Sequence, residues 1–155
     1  MIGRRVPLGY AILCSELMSK RLIVLSSTPL PNVWANSSQL VKTCEALSRA
    51  GVLLELWAQG KTNKEEVFLY YRVRTKFPLR LFPFKRKGER TVFSGHLSYN
   101  SAVIRKLRIE YRTHGSFDLY TREVIFWPTL VVARLLWGSH IFFEVHRVTP
   151  RNWYD

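Results

Sequence analysis

Arg21–Ala58 reads RLIVLSSTPLPNVWANSSQLVKTCEALSRAGVLLELWA, and the reading of this stretch decides the fold. Arg21–Ser27 is a short apolar run with Ile and Val at its centre, closed by small polar residues, which is the pattern of a buried strand. A loop with two prolines follows, STPLPNVWA. Ser37 or Asn36 can then cap a helix through SSQLVKTCEALSRAG. Within it Leu40, Val41, Cys44 and Leu47 recur at three- and four-residue spacings, so one apolar stripe faces a core. Gly51 stands where a left-handed residue ends a helix, and Val52–Ala58 supplies a second strand. A strand, a helix and a strand with connections of this length make a βαβ crossover, which sets its two strands parallel in one sheet.

The same order returns near the other end of the chain. FDLYTRE (Phe117–Glu123), an apolar helical segment VIFWPTLVVARLLWGS, and HIFFEVH (His140–His146) again alternate strand, helix and strand. Between the two units, VFLYYRVR (Val67–Arg74) reads as a third strand. KFPLRLFPFKRKGER (76–90) reads as irregular, because Pro78 and Pro83 interrupt any regular element. Leu97–Tyr111 reads as a basic helix with Val103, Ile104, Leu107 and Tyr111 on one side. The fold class expected is therefore α/β: a single Rossmann-like three-layer domain with a mostly parallel sheet of about five strands. Met18 opens MSKRLIVLSS, a natural start for a chain whose first element is a buried strand. Residues 1–17 are accordingly expected to be a tail, and 18–155 the domain.

A chain of 155 residues suits one domain with a full core, and its 47% hydrophobic and 14% aromatic content excludes a disordered polymer. Charge is the outlier, with 24 Lys+Arg against 11 Asp+Glu, formally +13. Residues 61–112 hold 14 of the basic side chains and 4 of the acids, whereas 113–155 is balanced. Such an excess points to polyanionic partners: nucleic acid, an anionic membrane surface or phosphorylated small molecules. The basic stretch Arg72–Arg90 interleaves Arg80, Lys85, Arg86, Lys87 and Arg90 with Phe77, Phe82 and Phe84, and is read as the membrane or anion contact. Cys14 and Cys44 are far apart, without a C-x-x-C pair, as in a reduced intracellular protein. Localisation is expected to be cytoplasmic, peripheral on the inner face of the membrane. No apolar run reaches the length of a spanning helix.

The chemistry-bearing candidates gather at strand ends. In parallel sheets ligands bind beyond the carboxyl ends of the strands. Arg122, Glu123 and His146 fall there, as does the loop Ser26–Ser38. That loop lacks G-x-G-x-x-G, which disfavours a dinucleotide. Ala35, Asn36 and Ser37 stand at the helix start instead, small and polar enough for a hydroxyl-rich or anionic ligand. His146 suits a general base or a hydroxyl ligand. Glu144 shares its strand face and reads either as its orienting partner or as a salt-bridge residue. His96, His114 and His140 have no metal-ligand spacing, so neither a metal nor a cofactor is expected. Neither G-x-S-x-G nor G-x-x-x-x-G-K-[ST] occurs, which disfavours a serine hydrolase and a P-loop nucleotidase.

LSSTPLPNVWANSSQLVKTCEALSRAGVLLELWA resembles the opening of family 4 glycosyltransferases: a strand, a small-residue loop, a helix of the Q-x-x-x-x-x-E-A-L type, Gly and a strand. FDLYTRE resembles the family strand in which an Asp precedes a run ending in Tyr-x-Arg, and HIFFEVH resembles the next unit, ending in Glu-x-His. The resemblance covers about residues 20–148 in matching order. It implies a GT-B enzyme, with two Rossmann-like domains around a cleft. The N-terminal domain binds a lipid-linked or glycan acceptor, and the C-terminal one binds the nucleotide-sugar donor and carries an E-x7-E motif. His146 is then the catalytic candidate facing the sugar. Ala35, Asn36, Ser37, Arg122 and Glu123 are candidates for substrate binding. The first loop departs from the commoner Gly-Gly form, and no Glu pair has the E-x7-E spacing. The expectation is an incomplete N-terminal domain, inactive alone and dependent on a second domain or a separate chain for the donor. The alternatives are a basic nucleic-acid-binding module and a non-catalytic partner subunit.

Overall fold

The computed structural model describes residues 20–60, 63–83 and 92–144. Strands β1 (Arg21–Pro29), β2 (Leu54–Gln59), β3 (Leu79–Phe82), β4 (Phe117–Thr121) and β5 (Ile141–Phe143) alternate with helices α1 (Ala35–Arg49), α2 (Lys64–Tyr70), α3 (Val92–His114) and α4 (Trp127–Trp137). The strands form one sheet in the order β3-β2-β1-β4-β5, and every neighbouring pair is parallel. This is the expected Rossmann-like three-layer domain.

Alternation along the central strands sorts the core into two halves. Val24 of β1 and Leu54, Leu56 and Ala58 of β2 meet Leu40, Val41 and Cys44 of α1 and Val67 and Phe68 of α2. Ile23 and Leu25 of β1, Trp57 of β2 and Phe117 and Leu119 of β4 point the other way. They meet Tyr99, Val103 and Leu107 of α3 and Leu130 and Ala133 of α4. Because helices cover both faces, Leu22–Leu25 of β1 form an unbroken apolar run, as the middle of a buried parallel strand does. Each fully buried Leu, Val or Ile contributes about 1.5–3 kcal/mol. The apolar stripe expected of α1 is the face that it buries. Gly51 follows α1 with φ 89°, the left-handed conformation that a side chain would strain.

Three expectations are corrected. Val67–Arg74 is not a strand: α2 covers Lys64–Tyr70, and Tyr71–Arg74 belong to the connection that follows. Asn63 Oδ1 accepts the Glu65 amide at 2.9 Å, and Glu65 and Glu66 fill the first turn, where the helix dipole favours acids. Cap and dipole thus outweigh the β-forming character of Val67, Phe68 and Tyr70. The third strand is instead Leu79–Phe82, inside the segment read as irregular. Its two prolines bracket the strand and do not interrupt it. Pro78 contributes a carbonyl, which accepts the Leu56 amide at 2.9 Å. As an edge strand, β3 tolerates prolines that a central strand would not. Finally, α1 starts at Ala35 with Trp34 in the cap position, and neither Asn36 nor Ser37 caps it. The turn is organised one step earlier, where Asn32 Oδ1 accepts the Trp34 amide at 2.8 Å.

Candidate functional site

Strand β1 lies between β2 and β4. From it the chain passes to α1 on one face of the sheet, and from β4 it passes to α4 on the other. The sheet therefore has its topological switch between β1 and β4, and a crevice opens there beyond the strand carboxyl ends. A cavity of about 170 Å³ occupies this position, lined by Leu25, Ser26, Thr28, Asn36, Ser37, Leu40, Arg122 and Glu123. Four residues singled out from the sequence thus converge, although they come from two elements some 85 positions apart: Asn36, Ser37, Arg122 and Glu123. Ala35 starts α1 but does not line the cavity.

Arg122 is held from three sides. Its Nε donates to Tyr120 Oη and to Glu144 Oε2, both at 2.8 Å, and its Nη2 donates to Thr43 Oγ1 at 3.2 Å. Glu144 therefore acts as the ion-pair residue, one of its two sequence readings. Burial lowers the Arg122 pKa, but Tyr120 and Glu144 outweigh it and raise the net value. Burial, reinforced by Glu144, also raises the Tyr120 phenol. One guanidinium nitrogen, Nη1, is enclosed without a hydrogen-bond partner among the described residues.

Glu123 is a brace. Its carboxylate accepts Ser26 Oγ at 2.8 Å, the Ser27 amide at 2.9 Å and the Ser27 hydroxyl. Those bonds fasten the end of β1 to the end of β4 and leave the carboxylate little free capacity for acid–base work. Below it Tyr99 Oη donates to the Ser26 carbonyl at 2.9 Å. Burial, with Glu123 nearby, pushes that phenol upward, so it stays protonated. Ser37 Oγ accepts Asn32 Nδ2 at 2.9 Å and its hydroxyl also hydrogen-bonds the Tyr71 phenol, so it is held by the protein on both counts. Thr28 and Asn36 add a hydroxyl and an amide to the lining. The crevice is thus rich in donors and suits a ligand that carries hydroxyls or an anionic group.

The remaining candidates lie elsewhere. Arg80 sits in β3, where its Nε meets Glu55 at 3.1 Å and its Nη1 meets Glu110 at 2.8 Å. Its guanidinium also lies 4.8 Å above the Trp57 ring. Arg21 joins the same two carboxylates at the start of β1. Arg80 therefore belongs to an ion cluster that ties α3 to the sheet. Burial would raise the Glu110 pKa, but Arg21 and Arg80 overcome it and lower the net value. His146, Lys85, Arg86, Lys87 and Arg90 lie outside the described residues. Among the described residues, no group of three His, Cys, Asp or Glu side chains could hold a metal ion.

Thr43 and Tyr120 were not singled out from the sequence, and Ser26 and Ser27 entered only as the start of the Ser26–Ser38 loop. Their signal was weak: polar residues at the last positions of strands or on the buried side of a helix. Their roles depend on partners that are between 2 and 97 residues away.

No protein-family model matches the chain, and no curated protein matches it. Among solved structures it is similar to the C-terminal domain of a hydrogenase from Pyrococcus furiosus. The TM-score is 0.61 at 9% identity, over 93% of this chain and 99% of that domain. A likeness at that identity speaks to the fold alone.

Proposed function

We propose that this domain is the acceptor-side Rossmann-like half of a GT-B glycosyltransferase, binding a lipid-linked or glycan acceptor that receives a sugar from a nucleotide-sugar held by a second domain. The observation that carries the reading is the donor-rich crevice at the β1–β4 switch, lined by Ser26, Thr28, Asn36, Ser37 and Arg122. Hydroxyls and amides of this kind match the alternating donors and acceptors of a sugar, and Arg122 adds a cation to the lining. Glu123 keeps the β1 end in place so that these groups present a fixed surface. His146, outside the described residues, is assigned in this reading to the proton of the acceptor hydroxyl.

The test is NMR titration of the full chain with a lipid-phosphate-linked saccharide, a free oligosaccharide and a nucleotide-sugar. The reading expects amide shifts at Asn36, Ser37 and Arg122 with an acceptor, and their loss in Asn36→Ala and Arg122→Ala. Shifts with the nucleotide-sugar alone, or acceptor shifts far from these residues, would refute it.

A further inference from the structure

Helices α3 and α4 pack side by side on one face of the sheet, and the surface they turn outward has an unusual make-up. On α4, Trp127, Val131 and Leu135 recur every four residues and stand 63%, 39% and 77% exposed. Leu136 beside them is 68% exposed, and the single cation among them is Arg134. On α3 the outward stripe is Arg105, Arg108, Ile109 and Arg112, flanked by Lys106, all exposed. The two helices are joined at one end by Tyr111 stacked on Trp137, with ring centroids 6.1 Å apart. Among the described residues of the two helices no acid balances this surface. Glu110 is the sole acid of α3 and turns inward to Arg21 and Arg80, and α4 has none.

We infer that the outer face of α3 and α4 docks on an anionic membrane surface. An exposed apolar ridge next to a row of unopposed cations is what an interfacial helix pair presents to lipid. The ridge enters the headgroup–acyl boundary while the cations meet lipid phosphates and carboxylates. Charge decides between lipid and a protein partner here, because a purely apolar partner would leave five cations unmatched beside it. Trp127, at the start of α4 and 63% exposed, has the amphipathic ring that settles at that boundary. Among the described residues no helix is long and apolar enough to cross a membrane, so the contact is peripheral. It also differs from the contact read from the sequence over Arg72–Arg90, which the control variant below probes and in which Arg80 is committed to Glu55 and Glu110. The inference stands apart from the acceptor crevice and holds whatever that crevice binds.

The experiment is flotation of the full chain with phosphatidylcholine vesicles containing about a third phosphatidylserine, beside pure phosphatidylcholine, at low and physiological salt. Three variants accompany the unmodified chain. The first replaces Arg105, Lys106, Arg108 and Arg112 by Ser. The second replaces Trp127, Leu135 and Leu136 by Ser. The third is a control on the opposite face, with Arg72, Arg74 and Lys76 replaced by Ser. Binding should require the anionic lipid and fall on the order of fivefold per cation removed at low salt. It should fall in the apolar variant at both salt concentrations and persist in the control. The inference is overturned by equal loss in the control or by no preference for anionic vesicles. It is also overturned if single-stranded RNA binds in place of vesicles, since the cations then serve nucleic acid. Self-association abolished by the apolar variant would assign the ridge to a second copy. A drop in the melting temperature of that variant would show that the chain covers the ridge itself.

Discussion

Glu45 sits in the middle of α1, and its removal should expose how the crevice-bearing helix is tied to the rest of the sheet. Its Oε1 accepts the Arg74 amide at 2.5 Å and the Thr75 amide at 3.1 Å, and its Oε2 accepts Lys42 Nζ at 2.8 Å. Lys42 Nζ also donates to the Arg72 carbonyl at 2.9 Å. The carboxylate thereby fastens α1 to the connection that leads into β3. The Lys42 hydrogen bond, followed by the amides of Thr75 and Arg74, holds its pKa down at about 2. Because the folded value lies below the unfolded one, this stabilisation is present at neutral pH and is lost as pH falls from about 5 to about 2. The full shift corresponds to about 3 kcal/mol. Lys42 is 45% exposed and solvent screens its share, so about 2 kcal/mol is expected in practice. Urea denaturation at pH 7, 5 and 3 provides the assay. Glu45→Gln should lose about 1–2 kcal/mol at pH 7, because the amide oxygen still serves the two backbone donors. Glu45→Ala should lose a further 1 kcal/mol or more, roughly, by leaving those donors unpaired. The gap between the unmodified chain and Glu45→Gln should close toward low pH. A gap at pH 7 below about 0.5 kcal/mol, or one that does not change with pH, would refute the assignment.

Three further outcomes are expected. Burial, opposed only in part by Arg122, pushes the Cys44 thiol up to about 12. In a Cys14→Ser background it should resist a thiol reagent at pH 8 until urea unfolds the chain, and prompt reaction of the native protein would contradict its burial. Tyr99→Phe removes the hydrogen bond to the Ser26 carbonyl and should cost about 0.5–1.5 kcal/mol in the same denaturation assay, with the sheet intact by circular dichroism. Gly60→Ala would place a Cβ 2.8 Å from the Leu30 carbonyl oxygen; since that neighbour is backbone, melting should show a loss of about 1–3 kcal/mol, and a neutral result would mean that the β1–α1 loop yields easily.

Much of the candidate site was legible before any coordinates, for a topological reason. A βαβ unit forces its strands parallel, parallel strands end at a common edge, and residues at those ends must meet there. That logic brought Asn36, Ser37, Arg122 and Glu123 to one rim, and they line one cavity. It could not distinguish a residue that faces a ligand from one that holds the rim together. Glu123 reads as a binding carboxylate in sequence, yet its oxygens are taken by Ser26 and Ser27. Nor could it show Arg80 as part of the ion cluster with Arg21, Glu55 and Glu110, since those four residues come from three strands and a helix.

What the chain determined by itself was the periodic part: the apolar runs of β1, β2 and β4, the stripe of α1, the glycine that stops it, and hence a parallel α/β sheet. These follow from local patterns that repeat over several residues and vote together. The tertiary structure decided the marginal segments. Val67–Tyr70 has strand-like residues but becomes a helix, because Asn63 caps it and both Val67 and Phe68 can then reach the same core half. Leu79–Phe82 is too short and too proline-flanked to declare itself, and becomes a strand because the free edge of β2 is there to pair with it. Where local preference is weak, the backbone groups of a neighbour already in place select the conformation, and that neighbour is invisible in the local sequence.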